Sequence, residues 1–392
     1  MKKKLSVIAL VDCDSFFVGC EMVQNPDLVG KPVCVLSNND ACVVARSKEA
    51  KKIGVRMGMP LFMAKREFPN VIYLSGNIEI YREISKKVMN VLREFSPFME
   101  QYSVDEAFID LTGLRRYYRC SYINIARLIK KEVKERVGID VSVGVSFNKT
   151  LAKLASHIAK ISDGTTEIGK YTLPKVLKNT DIEEIWGIGR NLSVMFRKNG
   201  IKTAKDIIDM PDKWLKDKLG IIGLELKQEL SGEYVNKINV SKRIPKSIQD
   251  TSTFAKFTSD KSFIKNELNY HIHKTCKRLR KHNLKTKNIT LILKTKDFRY
   301  FCDKYTIEEA TNSELEIEKY ISQMLDKIYN SSNIYRSCGV CLDGLCSTQT
   351  NQLSIFNDNI KNEKLDKLGE KLDKLEAKFG KNIIMTGLFN VT

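Results

Sequence analysis

Two short acidic segments constrain the fold of this chain more than any other feature of its sequence. Asp12 follows an apolar run that starts at Leu5, and Asp105 with Glu106 interrupts a second apolar stretch about ninety residues later. An unpaired carboxylate among β-forming apolar residues is unfavourable by several kcal/mol unless a cation or proton neutralises it. We therefore expect the two segments to form adjacent strands that bind Mg²⁺. The alternative, acids that merely cap strands, fits their apolar neighbours less well.

These three acids also match the requirements of two-metal phosphoryl transfer. That chemistry needs carboxylates from different chain segments to hold two divalent ions about 4 Å apart. Asp12, Asp105 and Glu106 can supply them, which predicts a catalytic centre with two Mg²⁺ ions. Neighbours in a regular strand point to opposite faces, so Asp105 and Glu106 can share one site only near a strand end or a turn.

The hydrophobic periodicity around the acids predicts a sheet with a defined element order. We predict strands at 5–11, 99–104, 107–111 and 141–145, and helices at 81–95, 122–137 and 149–160. The order strand, helix, strand, strand, helix, strand indicates a βαββαβ sheet with helices on one face. A small subdomain is inserted before residue 76, a mostly helical segment runs to about residue 235, and a mixed α+β region follows. The fold class is therefore α+β and multidomain.

Charge is concentrated in one region of the chain. The 392 residues carry a net charge of +19, and residues 240–301 alone hold sixteen Lys and Arg against four Asp and Glu. Clustering of this kind predicts a nucleic-acid partner, whereas a generally lysine-rich proteome would scatter its lysines.

Cysteine and hydropathy patterns bear on the compartment. Ten cysteines without a secretory signal predict reduced thiols and a cytoplasmic protein. No apolar run approaches the roughly 20 residues that span a membrane, so no membrane association is expected. Two groups of residues could be interpreted as zinc sites: the cluster Cys338–Cys346, and His271 and His273 with Cys276. We favour structural cysteines, because the first cluster lacks a second paired half and alternates with apolar residues.

Aromatic and basic residues near the acids predict a nucleotide site. Phe16 is expected in the core, while the ring of Phe17 could pack against a nucleotide sugar and exclude a 2′-hydroxyl. Further candidates are cations at the start of one helix and on one face of another, which could meet phosphate; a solvated basic face is the alternative. These cations are Arg46, Lys48, Lys51, Lys153 and Lys160.

Two further segments suggest macromolecular contacts. Gly187-Ile188-Gly189, with its flanking apolar spacing, fits a helix-hairpin-helix whose glycines let the backbone approach a DNA phosphate. Near the end, Leu353, Ile355 and Phe356 follow Gln352 in polar surroundings, which is typical of a docking peptide. An amphipathic helix over 365–379 follows; it either docks on a partner or folds back on the protein, and both alternatives stay open.

Several of these segments together resemble the Y-family translesion DNA polymerases, and two of them are most similar to the UmuC-type subgroup. The resemblance covers roughly residues 5–356 and is most specific in the first 160. Its motifs are Asp12-Cys13-Asp14-Ser15-Phe16-Phe17, Ser37-Asn38-Asn39-Asp40 with Ala45-Arg46, Tyr102-Ser103-Val104-Asp105-Glu106-Ala107-Phe108 with Asp110-Leu111-Thr112-Gly113, and Lys149-Thr150-Leu151-Ala152-Lys153-Leu154-Ala155.

The resemblance implies a right-hand polymerase. Its expected domains are a palm at 1–165 with fingers inserted at about 18–76, a helix-hairpin-helix thumb at 166–238, a little finger at 240–348, and a clamp-binding peptide with a C-terminal helix at 349–392. It implies error-prone dNTP addition to primer–template DNA without proofreading, in DNA repair and the SOS response. The backbone carbonyl of Cys13 would join the metal acids, Phe17 would be the steric gate, and Lys51 and Lys160 would contact triphosphate. Lys48 stands where related branches often carry Tyr.

Partners are implied by the same resemblance. We predict DNA contacts from Arg243, Lys246, Arg278 and Lys294 in the basic region. Gln352, Leu353, Ile355 and Phe356 resemble the sliding-clamp motif of bacterial polymerases, and a UmuD-type accessory protein is a further possible partner. Two other function classes compete. A nucleotide cyclase would not need the hairpin or basic region, and a non-catalytic clamp-recruited DNA-binding scaffold would not need the three acids.

Overall fold

The computed structural model describes residues 6–241, 244–348 and 359–380. The chain divides into two compact units after Ser241. Arg243 and the peptide from Gln352 to Phe356 lie outside the described residues. In the described part, no helix has the length and apolar composition needed to cross a membrane.

The first unit holds a central sheet, a smaller sheet and a helical segment. Its elements are, in chain order, β1 (Ile8–Cys13), α1 (Phe16–Gln24), β2 (Val33–Leu36), β3 (Val43–Arg46), α2 (Lys48–Lys52), α3 (Leu61–Glu67), β4 (Ile72–Ser75), α4 (Ile78–Phe95), β5 (Met99–Gln101), β6 (Glu106–Asp110), α5 (Arg115–Tyr118), α6 (Tyr122–Val137), β7 (Val141–Ser146), α7 (Lys149–Lys160), β8 (Thr165–Glu167), α8 (Leu173–Asn179), α9 (Arg190–Lys198), α10 (Ala204–Asp209), α11 (Asp212–Leu219) and α12 (Ile221–Leu230).

The central sheet has the strand order β5-β6-β1-β7-β8, with β1 antiparallel to both neighbours. All six residues of β1 are buried, because helices cover both faces of the sheet. Ala9 and Val11 face α4 and α6, the two predicted helices that share a face. Ile8 and Leu10 face the other side, where they pack with Ala152 of α7. The βαββαβ arrangement is therefore confirmed, and α7 adds a layer on the opposite face.

Gly144 explains how closely α7 approaches the sheet. It lies in β7 opposite Leu10 of β1. A Cβ atom at this position would lie 1.9 Å from the backbone nitrogen of Ser156, inside α7. Only glycine allows this distance, so the sequence Val143-Gly144-Val145 fixes the height of α7 above the strands that carry the acids.

The smaller sheet is inserted between α1 and α4. Its order is β3-β2-β4, and α2 and α3 belong to the same part of the chain. Cys34 and Leu36 of β2 form its core with Ala50 of α2 and Ala64 of α3. This inserted segment therefore has a small core of its own.

A buried glutamate ties the helical segment to the central sheet. Glu229 at the end of α12 is 1% exposed. Its carboxylate accepts hydrogen bonds from the Thr150 hydroxyl and from the Asn236 amide. The Asn148 side chain donates to the Glu229 backbone carbonyl at 2.7 Å. Because buried carboxylates need such partners, the start of α7 and the end of α12 are held together by polar contacts.

The second unit is a separate α+β body. Its elements are β9 (Ser247–Thr258), α13 (Lys261–Lys281), β10 (Leu284–Thr295), β11 (Tyr300–Thr311), α14 (Glu314–Ile328), β12 (Tyr335–Asp343), β13 (Cys346–Ser347) and α15 (Asn359–Phe379). The antiparallel sheet has the order β11-β10-β12-β9. Leu291 and Leu293 of β10 point into a core formed with α13 and α14. The alternate residues of the strand, Ile292 and Lys294, are partly exposed on the other face of the sheet.

Two histidines and two cysteines of this unit have structural partners. His271 contacts Asp250 and Ser252, and His273 lies between Glu314 and Glu376. Cys276 and Cys338 are buried in the apolar core, and all ten cysteines of the chain are free thiols. These contacts support the structural interpretation over a zinc site.

The C-terminal helix folds back on its own unit. Asp373 of α15 binds Arg280 of α13 at 2.7 Å, and Glu376 binds Lys277. Of the predicted apolar stripe, Leu368, Leu375 and Phe379 are exposed, whereas Leu372 is partly buried. Of the two alternatives left open by the sequence, the structure has the helix packed on the protein, with its acids paired to cations of α13.

Candidate active site

The acids converge at one end of the central sheet. Asp12 of β1 lies directly opposite Glu106 of β6 in the strand register. One residue further, the Cys13 amide donates a hydrogen bond to the backbone carbonyl of Asp105 at 2.9 Å. The two acidic segments are thus adjacent, as the sequence predicts.

A turn stabilised by Ser103 separates the last two acids. The Ser103 hydroxyl accepts the amide hydrogens of Asp105 at 3.2 Å and Glu106 at 3.0 Å, and donates to the Asp105 carboxylate. The predicted strand at 99–104 ends at Gln101, because the amides of Tyr102 and Ser103 both bond to the Glu106 carbonyl and the Ser103 side chain stabilises the turn that follows. Glu106 begins the next strand, so the pair occupies a turn and a strand start, as a shared site requires.

Helix α7 supplies a lysine to each of two acids. The Lys160 ammonium lies 2.7 Å from Oδ1 of Asp12. The Lys153 ammonium donates to both carboxylate oxygens of Glu106 at 2.7 and 2.9 Å. The sequence placed both lysines on one helix face, and the structure brings that face to the acids. Lys153 also lies 5.4 Å from the ring centre of Tyr102.

Burial and nearby charges shift the pKa values of Asp12 and Glu106 in opposite directions. Burial raises the pKa of Asp12 to about 7, although the charge of Lys160 opposes this shift. Burial also raises the pKa of Glu106, but hydrogen bonds from Lys153 and Asp12 outweigh it and leave that pKa below its ordinary value. Glu106 is therefore the ionised member, and Asp12 is a carboxyl group that a cation would help to ionise.

The donor set fits a hard divalent cation. Carboxylate oxygens and a backbone carbonyl are the ligands that Mg²⁺ prefers. Among the described residues, no three His, Cys, Asp or Glu side chains are grouped as a ready metal site. Each carboxylate has a partner within the protein instead: Ser103 binds Asp105, while lysines bind Asp12 and Glu106. The lysine ammonium groups supply positive charge beside these two acids.

A cleft with a volume of about 330 Å³ opens above the acids. Its basic lining is Arg46, Lys51 and Lys160. Burial, followed by the charges of Arg46 and Lys160, lowers the pKa of Lys51. Lys51 donates to the Ser15 hydroxyl at 2.8 Å. Cations that repel one another favour a polyanionic ligand such as a triphosphate. Lys48 is exposed and does not line the cleft.

The two phenylalanines at the start of α1 behave differently. Phe16 is buried, as expected, although it also contributes to the cleft wall. Phe17 is half-buried and stacks on Tyr81 of α4, with ring centres 4.5 Å apart. Tyr81 is itself held by a hydrogen bond from its hydroxyl to Glu21. The Phe17 ring is therefore fixed at the cleft.

The other predicted DNA contacts lie in one loop of the first unit and on a loop, a helix and a strand of the second unit. Gly187 has a φ of 92°, and Gly189 is the N-cap residue that precedes α9. Ile188 between them is buried, so only its backbone is available to DNA, and a three-residue 3₁₀ turn precedes the loop instead of an α-helix. In the second unit, Lys246 and Arg278 are exposed, and Lys294 is partly exposed.

Sequence reasoning missed several residues of the site. Tyr81, Ser103 and Met57 contribute to the cleft or its support, and none was predicted as a site residue. For Ser103, its position two residues before an acid could have indicated a side-chain turn. Tyr81 and Met57 reach the site only through tertiary packing.

Family models match both parts of the chain. The impB/mucB/samB family matches residues 11–157, and the C-terminal domain of the same family matches residues 245–355. Protein UmuC of Salmonella typhimurium is 33% identical over 391 residues, covering 96% of this chain and 92% of that protein. The chain is a UmuC-like member of the Y family of DNA polymerases.

Other Y-family comparisons agree. DNA polymerase IV of Clostridium kluyveri is 32% identical, with 97% of each protein covered. A Y-family DNA polymerase chimera of Dbh and Dpo4 has a TM-score of 0.74 and 29% identity, covering 87% of this chain and 99% of the other. An insertion ternary complex of Dbh DNA polymerase has a TM-score of 0.60 and 28% identity, covering 87% of this chain and 99% of the other. The resemblance inferred from the motifs is thus confirmed along nearly the whole chain.

Proposed function

We propose that this Y-family polymerase extends a DNA primer opposite damaged template bases by two-metal nucleotidyl transfer, without proofreading. The observation that carries the proposal is the meeting of Asp12, Glu106 and the Asp105 backbone at the floor of a cleft with basic and aromatic walls. Acids and cations arranged in this way suit a nucleoside triphosphate and a primer hydroxyl.

Each residue of the cleft has a role in this proposal. Asp12, Asp105, Glu106 and the Cys13 carbonyl would hold the metal ions, with Glu106 acting on the primer side. When bound, Mg²⁺ would activate that hydroxyl and neutralise the leaving pyrophosphate. Arg46, Lys51 and Lys160 bind the triphosphate. Phe16 and Phe17 line the sugar side, where Phe17 excludes ribonucleotides.

The remaining predictions extend this function to partners. Residues 1–165 act as palm and fingers, 166–238 as thumb and 240–348 as little finger, with primer–template DNA held by phosphate contacts that do not read sequence. The segment with Gln352, Leu353, Ile355 and Phe356 docks on a sliding clamp, which would raise processivity by tethering. A UmuD-type protein is a further proposed partner, and the free thiols support a cytoplasmic setting.

Primer extension tests the proposal. The full chain, with clamp and accessory proteins supplied, is assayed with Mg²⁺ on an undamaged template and on one with an abasic site. We expect the wild type to add nucleotides on both, and Asp105→Ala and Glu106→Ala to lose activity by at least about a hundred-fold.

Asp14 provides the matched control. Its carboxylate accepts a hydrogen bond from Ser142 at 2.8 Å, and the residue does not line the cleft. Asp14→Asn should therefore keep extending primers. A wild type that adds no nucleotide, or acid variants that stay fully active, would refute two-metal polymerisation.

A further inference from the structure

Two aromatic rings flank the lysine that binds Glu106. The Lys153 ammonium lies 5.4 Å from the ring centre of Tyr102 and 5.9 Å from that of Trp186. The two rings are perpendicular, with their centres 5.5 Å apart. We call Tyr102 and Trp186 the aromatic pair. Because a lysine within about 6 Å of a ring centre is attracted to the face of the ring, Lys153 has two kinds of partner, a carboxylate and the aromatic pair.

The central sheet holds the aromatic pair in place. Trp186 packs against the buried cluster that contains Leu10 and Phe108. The ring centre of Phe108 lies 5.8 Å from that of Trp186 and 5.8 Å from that of Tyr102. Since Phe108 is fully buried in β6, both rings are supported by contacts that do not involve Lys153.

The Lys153 ammonium is not at its closest approach to these rings. Lys274 of α13, which has no ion pair among the described residues, lies 4.1 Å from the ring centre of Tyr270. Lys153 stays further from both of its rings, because its ammonium donates to the two carboxylate oxygens of Glu106. Release from Glu106 would therefore let this ammonium move onto the aromatic pair and strengthen that contact.

The proposed function requires such a release. A divalent cation at Glu106 competes with Lys153 for the same two oxygens, and two cations at one carboxylate repel each other. We propose that the aromatic pair receives the Lys153 ammonium when Mg²⁺ binds Glu106. Tyr102 and Trp186 are then positioning residues that act through Lys153. This inference rests on the proposed polymerase function, because that function places the metal at Glu106.

Trp186 itself can report the movement. The chain has two tryptophans, so Trp214→Phe leaves Trp186 as the only one, and we call this variant the reporter protein. The full-length reporter protein is titrated with Mg²⁺ alone, without DNA or nucleotide, while the indole emission is recorded. We expect a saturable change in emission as the ammonium moves onto the indole. Sodium chloride at the same ionic strength should produce no saturable change.

Lys153→Met in the reporter protein should abolish the emission response, because no ammonium is left to move. Its melting temperature should still rise with Mg²⁺, which shows that the metal binds. Lys131→Met is the matched control, since Lys131 forms an exposed ion pair with Glu135 and should keep the response. An emission of the reporter protein that does not respond to Mg²⁺, or an equal response in Lys153→Met, overturns the inference.

Two substitutions of Tyr102 separate the ring face from simple packing. Tyr102→Phe keeps the ring and should leave the Mg²⁺ concentration at half-saturation unchanged. Tyr102→Leu keeps an apolar side chain without a ring, and should raise that concentration by about two- to five-fold, the factor for a partly exposed cation–π contact. Thermal unfolding without Mg²⁺ should report folded protein for both variants. Equal Mg²⁺ dependence of the two variants would also overturn the inference.

The titration separates this inference from the proposed function, because it needs no DNA and no nucleotide addition. A Lys153-dependent emission response in a protein that extends no primer would refute only the polymerase proposal. Primer extension by a protein whose Trp186 emission does not respond to Mg²⁺ would refute only the role of the aromatic pair.

Discussion

Asp12 and Glu106 face each other across two antiparallel strands, and each carboxylate is bound by a lysine of the same helix. Lys153 and Lys160 are two helical turns apart, so one helix face supplies both cations. Gly144 lets that helix lie close to the sheet. The chain can therefore keep its buried acids compensated before any metal or nucleotide binds, and this arrangement has measurable consequences.

Removing Lys153 should destabilise the metal-free protein. Its ammonium binds both oxygens of Glu106, and the carboxylate side chain is only 14% exposed. We expect Lys153→Met to lower the free energy of unfolding without divalent ions by about 1–3 kcal/mol, because it leaves a largely buried carboxylate without its cation. Added Mg²⁺ should raise the melting temperature of the variant more than that of the wild type.

Lys131 is the control for this prediction. It forms an exposed ion pair with Glu135 at 3.8 Å. Such pairs contribute at most about 1 kcal/mol, so Lys131→Met should change the unfolding free energy little. Calorimetry with and without Mg²⁺ measures all three proteins, and similar losses for the two variants would contradict the assigned role of Lys153.

Stability without metal should fall as pH rises through the range in which Asp12 titrates. Burial raises the pKa of Asp12 from 3.8 to about 7 in the folded protein. Between these values the folded state holds a proton that the unfolded state has released, so the free energy of unfolding decreases with rising pH. We expect chelator-treated wild type to be more resistant to urea near pH 5 than near pH 8.

Asp12→Asn should remove this part of the pH dependence, since an amide does not titrate. Asp27→Asn, at an exposed acid, should retain the wild-type slope. Parallel urea curves for wild type and Asp12→Asn at every pH would contradict the shifted pKa.

Phe17 should control discrimination against ribonucleotides. Its ring lines the cleft and is fixed by stacking on Tyr81. Phe17→Ala opens space beside the nucleotide sugar, so incorporation of ribonucleotides relative to deoxyribonucleotides should rise by at least about ten-fold. Single-nucleotide extension with each sugar measures the ratio. Tyr81→Phe keeps the stacked ring and loses only the hydroxyl bond to Glu21, and should preserve discrimination. An unchanged ratio in Phe17→Ala would remove the gate assignment.

The sequence predicted the elements of the central sheet well because their periodicity reflects burial. The predicted helices at 122–137 and 149–160 have the bounds that the structure shows. The acids were found because charge is unexpected in apolar strands. The end of β5 was misplaced, since the Ser103 side chain ends that strand and period-2 alternation carries no sign of it.

Long-range polar pairs account for what could not be predicted. Glu229 follows the exposed Gln228 in its helix, and its partner Thr150 is 79 residues away. No local pattern distinguishes it from a solvated glutamate. The packing face of the C-terminal helix could not be predicted for a different reason. Its apolar stripe indicates one packing face, yet Glu376 is buried because Lys277 and His273 compensate its charge.

Glu376 should therefore control the attachment of α15. A hydrogen bond that His273 donates to Glu314, together with the charges of Glu314 and Glu376, raises the pKa of His273, so the contact is strongest while that imidazole is protonated. Loss of one partner from a buried charged cluster weakens it by more than loss of a surface pair. We expect Glu376→Ala to speed amide hydrogen exchange in residues 368–379 by about 10- to 100-fold, with little change in the core of the second unit.

Glu370→Ala, at an exposed position of the same helix, should leave exchange unchanged. Equal protection of α15 in both variants would mean that its other contacts, and not the buried acid, hold the helix.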